Sequence, residues 1–407
     1  MVLMNSKVRV QLSVMMFLQF FVWGAWFVTL SSYLTDIGFE GLFVGRAYLM
    51  NNIAAIISPF FVGMIADRFF NSEKLMGFLH LLGGVVMFRA TGITEVGPLI
   101  GVLLLYNVCY MPTLALVNAI SFNQMQNPDK EFPGIRVWGT LGWIVAGLTI
   151  LLIQTSFFEG VETSNIPMKM AAGVSILLGL FSFSLPNTPP KMAGEKVSVG
   201  DVLGLKALRL MKDWSFALFV ICSFLISIPL AFYYNFTNVF LNESEMTGVA
   251  GKMTMGQMSE VIFMILMPFF FARLGVKKML LFGMLAWVIR YVLFALGNNE
   301  ALVWMYYIGI LLHGICYDFF FVTGQIYVDR KAGKEIRASA QGLFALITYG
   351  LGIGVGSEVS GRIVSAYTVN GVKDWPSIWW VPAVFALVIV IFFALSFKDK
   401  QEVDSSL

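Results

Sequence analysis

Long apolar runs, each closed by a short polar or glycine- and proline-containing stretch, set the rhythm of this chain. A helix that crosses a bilayer needs about 20 predominantly apolar residues. Runs of that kind fall at 10–34, 43–66, 75–94, 97–120, 135–155, 168–186, 214–241, 252–272, 277–297, 300–324, 338–363 and 376–397. The pattern predicts an all-α membrane protein with twelve transmembrane helices. The longest polar connection, near 187–213, is rich in Pro, Gly and Lys. It divides the chain into an N-terminal six-helix bundle (1–190), a cytoplasmic linker (191–213) and a C-terminal six-helix bundle (214–407).

The charged residues orient these helices. Lys7, Arg9, Arg68, Lys74, Lys130, the run from Lys191 to Lys212, Arg273, Lys277, Lys278, the run from Arg330 to Arg337, and Lys398 occupy loops on one side. The alternate loops carry Asp36, Glu40, Glu95, Glu159, Glu162, Glu243, Glu245 and Glu300. Excess Lys and Arg marks the cytoplasmic face, so both termini are expected inside. The first apolar run follows Lys7 and Arg9 with no small-residue cleavage site, which predicts a retained helix. With 58% hydrophobic and 13% charged residues, the composition excludes a soluble domain. A net charge of +3 is too small to argue for a nucleic-acid partner. Cys109, Cys222 and Cys316 lie in apolar runs and read as small buried hydrophobes, without disulfide or metal spacing. No cofactor is called for.

Two acids stand out against this background. Glu260 lies in MGQMSEVIFMILMPFFF and Asp318 in IGILLHGICYDFFFVTG. A charge in hydrocarbon costs about 2.5–3.5 kcal/mol on insertion scales, so an intramembrane carboxylate faces protein or a wet cavity and marks a functional position. Gln257 lies three residues before Glu260, on the same helical face. Such an amide–carboxylate pair suits vicinal hydroxyls, since one group accepts and the other both accepts and donates. The competing reading for either acid is an ion pair with Arg136 or Arg290 that ties helices together. Arg136, Thr140 and Trp143 share a stripe that presents charge, hydroxyl and indole on one side. Taken alone, Arg136 also fits a side chain reaching toward the cytoplasm.

Weaker polar positions are Gln19 with Trp23 and Asn107 with Tyr110, as cavity lining, and Asn51 and Asn52, as hydrogen-bonded joints between helices. His80 reads as a packing residue. His313, five residues before Asp318, reads equally as packing or as part of the site. Gly352, Gly354, Gly356 and Gly361 read as close-packing or bending points.

An internal repeat supports two halves. The loop after the second run holds Gly63, Asp67 and Arg68, and the loop after the eighth keeps Arg273 but has Ala272 for the acid. This spacing resembles the cytoplasmic loop signature of the major facilitator superfamily. Parallel repeats of that kind place the substrate near the midplane between the halves.

More specifically, FPGIRVWGTLG (Phe132 to Gly142), GQMSE (Gly256 to Glu260), YDFF (Tyr317 to Phe320) and IRASAQG (Ile336 to Gly342) resemble the nucleoside:proton symporters of that superfamily. The resemblance runs along essentially the whole chain. It implies a multi-pass protein of the cell inner membrane that takes up nucleosides with protons by alternating access. A monomer is the expected working unit, and the lack of a His-rich metal cluster, of a nucleophile elbow and of a sizeable soluble domain argues against an enzyme. Carried over by motif, Arg136, Thr140, Gln257 and Glu260 contact substrate, and Tyr317 supplies an aromatic wall. Asp318, together with Glu260, is tied to proton coupling. Trp143 stands where the permeases have another aromatic, and His313 where they have a tyrosine. Ala231 and Tyr234 stand where their seventh helix offers a glutamine and an asparagine, with Asn235 next door. Those departures leave room for another polyhydroxylated solute such as a sugar, and for a non-transporting membrane sensor.

Overall fold

The computed structural model describes residues 5–66, 70–189 and 205–398. Asp67 and Arg68 of the loop motif, and residues 191–204 of the expected linker, lie outside the described residues; Leu205–Lys212 forms a short 3₁₀ helix. Nearly everything described is helical. Among the described residues, eight helical stretches are long and apolar enough to cross a bilayer, and Ile166–Ser182 is a shorter apolar helix.

The expected runs 252–272 and 277–297 lie on one 48-residue helical stretch, Val249–Leu296. Its path turns at Gly275, which takes φ 65° and ψ 179°, a conformation that glycine reaches without a Cβ penalty. Gly333 (φ 66°) turns the chain in the same way inside the basic 330–337 segment. The all-α expectation needs one correction. Thr368–Val369 and Val372–Lys373 pair as a two-stranded hairpin. Asn370 (φ 50°) and Gly371 (φ 81°) both take positive φ, the signature of a type I′ turn. Asp374 then caps the last helix, Trp375–Ser396, by accepting from the Ser377 N–H at 3.2 Å.

The chain folds as two compact units: Met1–Val197 with Gly248–Thr254, and Ser198–Thr247 with Met255–Leu407. In the first unit, Ser6–Trp26 lies against Pro128–Ser156. Small residues permit the approach, because a Cβ on Gly142 would strike the Phe17 carbonyl oxygen and one on Gly139 would come within 2.7 Å of the Phe20 ring. Leu12, Met15, Met16, Met76, Ile120 and Leu178 form the core beneath.

One buried polar network in the first unit is closed on itself, as an apolar surround favours. Gln19 Nε2 donates to Thr113 Oγ1 at 2.7 Å, and His80 Nε2 donates to Gln19 Oε1 at 2.8 Å. His80 Nδ1 meets Ser175 Oγ at 3.0 Å, and the Tyr110 hydroxyl donates to the Gln19 carbonyl at 2.7 Å. Gln19 is therefore fully buried and engaged in packing, not in lining a cavity. Asn107, also fully buried, donates to Leu103 O within its own helix. Asn52 likewise bonds Tyr48 O of its own helix and joins no neighbour through that bond.

In the second unit, Asp213 caps Trp214–Glu243 by accepting from the Ser215 N–H, and it also accepts from Lys331 Nζ at 2.9 Å. That lysine holds the Asp213 carboxyl below its ordinary range. Gly352 and Gly356 bring the helix Ile353–Ala366 onto Trp214–Glu243, where added Cβ atoms would meet the Ser227 and Ala231 Cβ atoms at 2.7 Å. Arg290 is fully buried here. Its Nε donates to Gly309 O at 2.9 Å and its guanidinium lies 4.0 Å from the Tyr233 ring centroid.

Candidate functional site

The segments that carry the two acids pack together because small residues allow it. A Cβ on Gly314 would fall 2.5 Å from Ser259 Oγ, and one on Gly256 would fall 3.1 Å from the His313 Cβ. Ser259 Oγ donates to Leu311 O at 2.5 Å across the same contact. Gln257 and Glu260, both half-buried on Val249–Leu296, are thereby set beside the segment His313–Asp318. Glu260 and Asp318 come close enough to repel each other electrostatically.

Asp318 is completely buried, and neither of its carboxyl oxygens has a hydrogen-bond partner among the described residues. No ion pair among those residues holds it, so the reading of Asp318 as half of a structural pair with Arg290 or Arg136 fails. Arg290 is spent on Gly309 and Tyr233, and neither Nη atom has a hydrogen-bond partner among the described residues. Buried polar atoms are nearly always hydrogen-bonded, and among the unpartnered ones of the described residues Asp318 is the carboxylate, with both oxygens bare.

Backbone irregularity coincides with the acid. Tyr317–Val322 is a π-helical segment, which inserts a residue into the turn and re-aims the side chains it carries. Such bulges occur often at functional positions. It aims Asp318 inward and leaves Tyr317 half-buried. His313 is buried and stacks on Tyr233 with centroids 5.2 Å apart, while Tyr234 meets it edge-on at 6.1 Å. Its Nδ1 has no hydrogen-bond partner among the described residues.

The helix Trp214–Glu243 explains the departures from the permease pattern. Ala231 is buried against Gly356 and leaves no room there for a longer amide. Asn235 is bonded to Ser357 Oγ at 3.0 Å, deep between helices. Tyr234 is half-buried and an electrostatic neighbour of Glu260. This helix thus presents a phenol to Glu260, with neither amide offered.

The first unit carries its own set. Arg136, Thr140 and Trp143 are all half-buried, whereas Val137, Trp138 and Leu141 between them are exposed, so the predicted stripe is present. The Arg136 guanidinium lies 4.3 Å from the Phe20 ring centroid. Trp143 packs onto Gly24 and meets Trp23 edge-on at 5.5 Å. Among the described residues, no group of three His, Cys, Asp or Glu side chains could hold a metal ion.

Comparison with known proteins places this arrangement. The family model described as nucleoside H+ symporter matches residues 4–402. This chain belongs to the nucleoside H+ symporter family. It is 42% identical over 404 residues to the putative nucleoside transporter YegT of Escherichia coli K12, covering 97% of this chain and 95% of that protein. It is 34% identical to the xanthosine permease of the same organism, covering 97% of each chain. A crystal structure of nucleoside transporter NupG superposes with TM-score 0.87 at 33% identity, covering 97% of this chain and all of that one. The symporter fold is also shared with the POT family transporter PepTSo, at TM-score 0.72 and 11% identity over 96% and 98% of the two chains.

Sequence reasoning missed Tyr349, whose hydroxyl donates to the Tyr317 hydroxyl at 2.9 Å. It also undervalued Tyr234. The second miss follows from reading helix seven only as a loss of amides. The first has no signal in the sequence, because Tyr349 reaches the site from a second π-helical segment, Leu346–Gly352.

Proposed function

We infer that this protein is a symporter that brings nucleosides across the cell inner membrane together with protons. The observation that carries the reading is Asp318: a fully buried carboxyl without hydrogen-bond or ion-pair partner among the described residues, in electrostatic contact with a second carboxyl, Glu260, in a chain of this family. A proton bound at this pair relieves the repulsion and the cost of a bare charge in an apolar surround. Release on the other side restores the charge. Coupling needs a group of that kind.

Gln257 and Glu260 hold the ribose hydroxyls by accepting and donating hydrogen bonds, and Tyr317, His313 and Trp143 offer ring faces and polar edges to the base. Arg136 and Thr140 supply the polar contacts of the first unit. The transport cycle is alternating access through twelve membrane-spanning helices, both termini are cytoplasmic, and the working unit is a monomer in the lipid bilayer. The charge asymmetry of the loops supports this orientation.

The test is uptake of labelled uridine into cells or right-side-out vesicles, with and without a protonophore. Accumulation above the outside concentration that collapses with the protonophore, and competition by unlabelled nucleosides, support the reading. Competition by sugars and not by nucleosides would transfer the function to another polyhydroxylated solute. Binding with no net movement would make the protein a sensor.

A further inference from the structure

We propose that Tyr349 is a solute-binding residue that reads the sugar hydroxyls, acting with Tyr317 and Glu260 as a hydroxyl clamp. The inference rests on the reading of Glu260 as a solute contact and adds a partner to it.

Three observations converge. Tyr317 and Tyr349 come from two π-helical segments, Tyr317–Val322 and Leu346–Gly352, and their hydroxyls meet at 2.9 Å. Two such insertions carry the two halves of one hydroxyl pair, and each re-aims its tyrosine out of the ordinary helical track. Phe321, fully buried, fixes both rings from behind: it stacks on Tyr349 at 5.0 Å and tilts against Tyr317 at 5.3 Å. The oxygens are thus held toward each other by packing. Finally, Glu260 lies within electrostatic reach of Tyr349 and of Tyr234.

A pair serving only to join helices would be sealed in the core. Tyr291 is a tyrosine of that kind in the same unit: its hydroxyl donates to Pro229 O at 2.6 Å and it is fully buried. Tyr317 and Tyr349 are both half-buried instead. Leu351, two residues further on, is the exposed apolar neighbour that faces away.

The chemistry follows from the donors. Tyr349 gives its hydrogen to the Tyr317 oxygen, and a phenol oxygen can still accept. When ionised, Glu260 is an acceptor only. A vicinal diol placed here donates one hydrogen to the carboxylate and the other to the Tyr349 oxygen. The ligand class is a solute with adjacent hydroxyls, and a ribonucleoside fills both contacts where a deoxyribonucleoside fills one.

The experiment measures uptake of uridine, 2′-deoxyuridine and 3′-deoxyuridine by wild type, Tyr349→Phe, Tyr317→Phe, the double variant and Glu260→Gln. Loss of one neutral hydrogen bond should raise the KM for uridine by about five- to tenfold in Tyr349→Phe, with maximal rate and protonophore sensitivity kept. The penalty for at least one deoxynucleoside should shrink by the same factor, because the lost contact was to that hydroxyl. Tyr317→Phe should cost a similar factor, and the double variant no more than the larger single effect. An unchanged KM in Tyr349→Phe, or a KM raised equally for all three solutes, overturns the proposal. So does a lowered maximal rate with KM intact, the mark of a helix joint. If Glu260→Gln also leaves the uridine KM unchanged, the solute site itself is misplaced. If Glu260→Gln raises it while Tyr349→Phe does not, only the role of Tyr349 falls.

Discussion

Asp318→Asn offers the sharpest test of the coupling chemistry. The side chain is completely buried and its two oxygens engage no hydrogen-bond donor among the described residues, so the amide removes no hydrogen bond and keeps the shape. The folded protein should persist, with a melting midpoint near that of wild type in detergent. What disappears is the exchangeable proton. One proton moving through 100 mV contributes about 2.3 kcal/mol and one pH unit about 1.4, together enough for roughly 500-fold accumulation with one proton per solute. In Asp318→Asn that drive is gone. Labelled uridine should equilibrate across vesicles to about onefold under an imposed pH gradient and potential, whereas exchange of internal for external uridine continues. The assay is a time course of uptake with the gradient imposed, beside counterflow in its absence. If Asp318→Asn still concentrates uridine hundreds of fold, Asp318 is not the coupling acid and the inference drawn from its bare carboxyl is wrong.

Other perturbations probe the supports of the site. Gly314→Ala places a methyl 2.5 Å from Ser259 Oγ and 2.6 Å from its backbone. Overpacking of this kind costs about 1–3 kcal/mol, so the melting midpoint should fall and uptake with it; an unchanged midpoint would refute the close contact. Arg290→Lys should melt below Arg290→Met. Lysine keeps a buried charge but loses the planar donor to Gly309, whereas methionine removes a charge whose Nη atoms have no hydrogen-bond partner among the described residues. The Asp213 carboxyl is held below its ordinary range by Lys331, so it stabilises the fold above the ordinary carboxylate range. That stabilisation is lost as pH falls through the lowered value. Melting curves from neutral to acid pH should show a steeper loss in wild type than in Asp213→Asn, and the difference should be small because the pair is partly exposed.

How much of this could be read from residues alone depends on the physical range of each signal. Apolar run length is a local property with a sharp physical threshold, and it located the eight long apolar helical stretches found among the described residues. The stripe of Arg136, Thr140 and Trp143 was legible for a related reason: α-helical periodicity fixes which residues share a side, and the exposed Val137, Trp138 and Leu141 agree with it. Glu260 and Asp318 were legible by cost, since a charge amid hydrocarbon needs a reason. The hairpin was also within reach, because Asn370–Gly371 is the type I′ dipeptide; attention to apolar runs passed over it.

The failures have more than one cause. Gln19, Asn52 and Asn107 were read from polarity, but polarity in a membrane helix says only that a partner exists, not where it lies. His80 and Thr113 claim Gln19 from 61 and 94 residues away, and no local pattern encodes such separations. Tyr349 was invisible for a sharper reason. Ordinary helical periodicity assigns its direction, and an inserted π residue changes that direction. A π segment also leaves the i→i−4 ladder locally unmade, a cost that ordinary packing gives no reason to accept. Two such segments, each contributing one hydroxyl to the same 2.9 Å contact, therefore carry more functional information than the identity of either tyrosine. The positions at which periodicity misleads are the ones at which the fold gives up regular helix to direct side chains toward the acids.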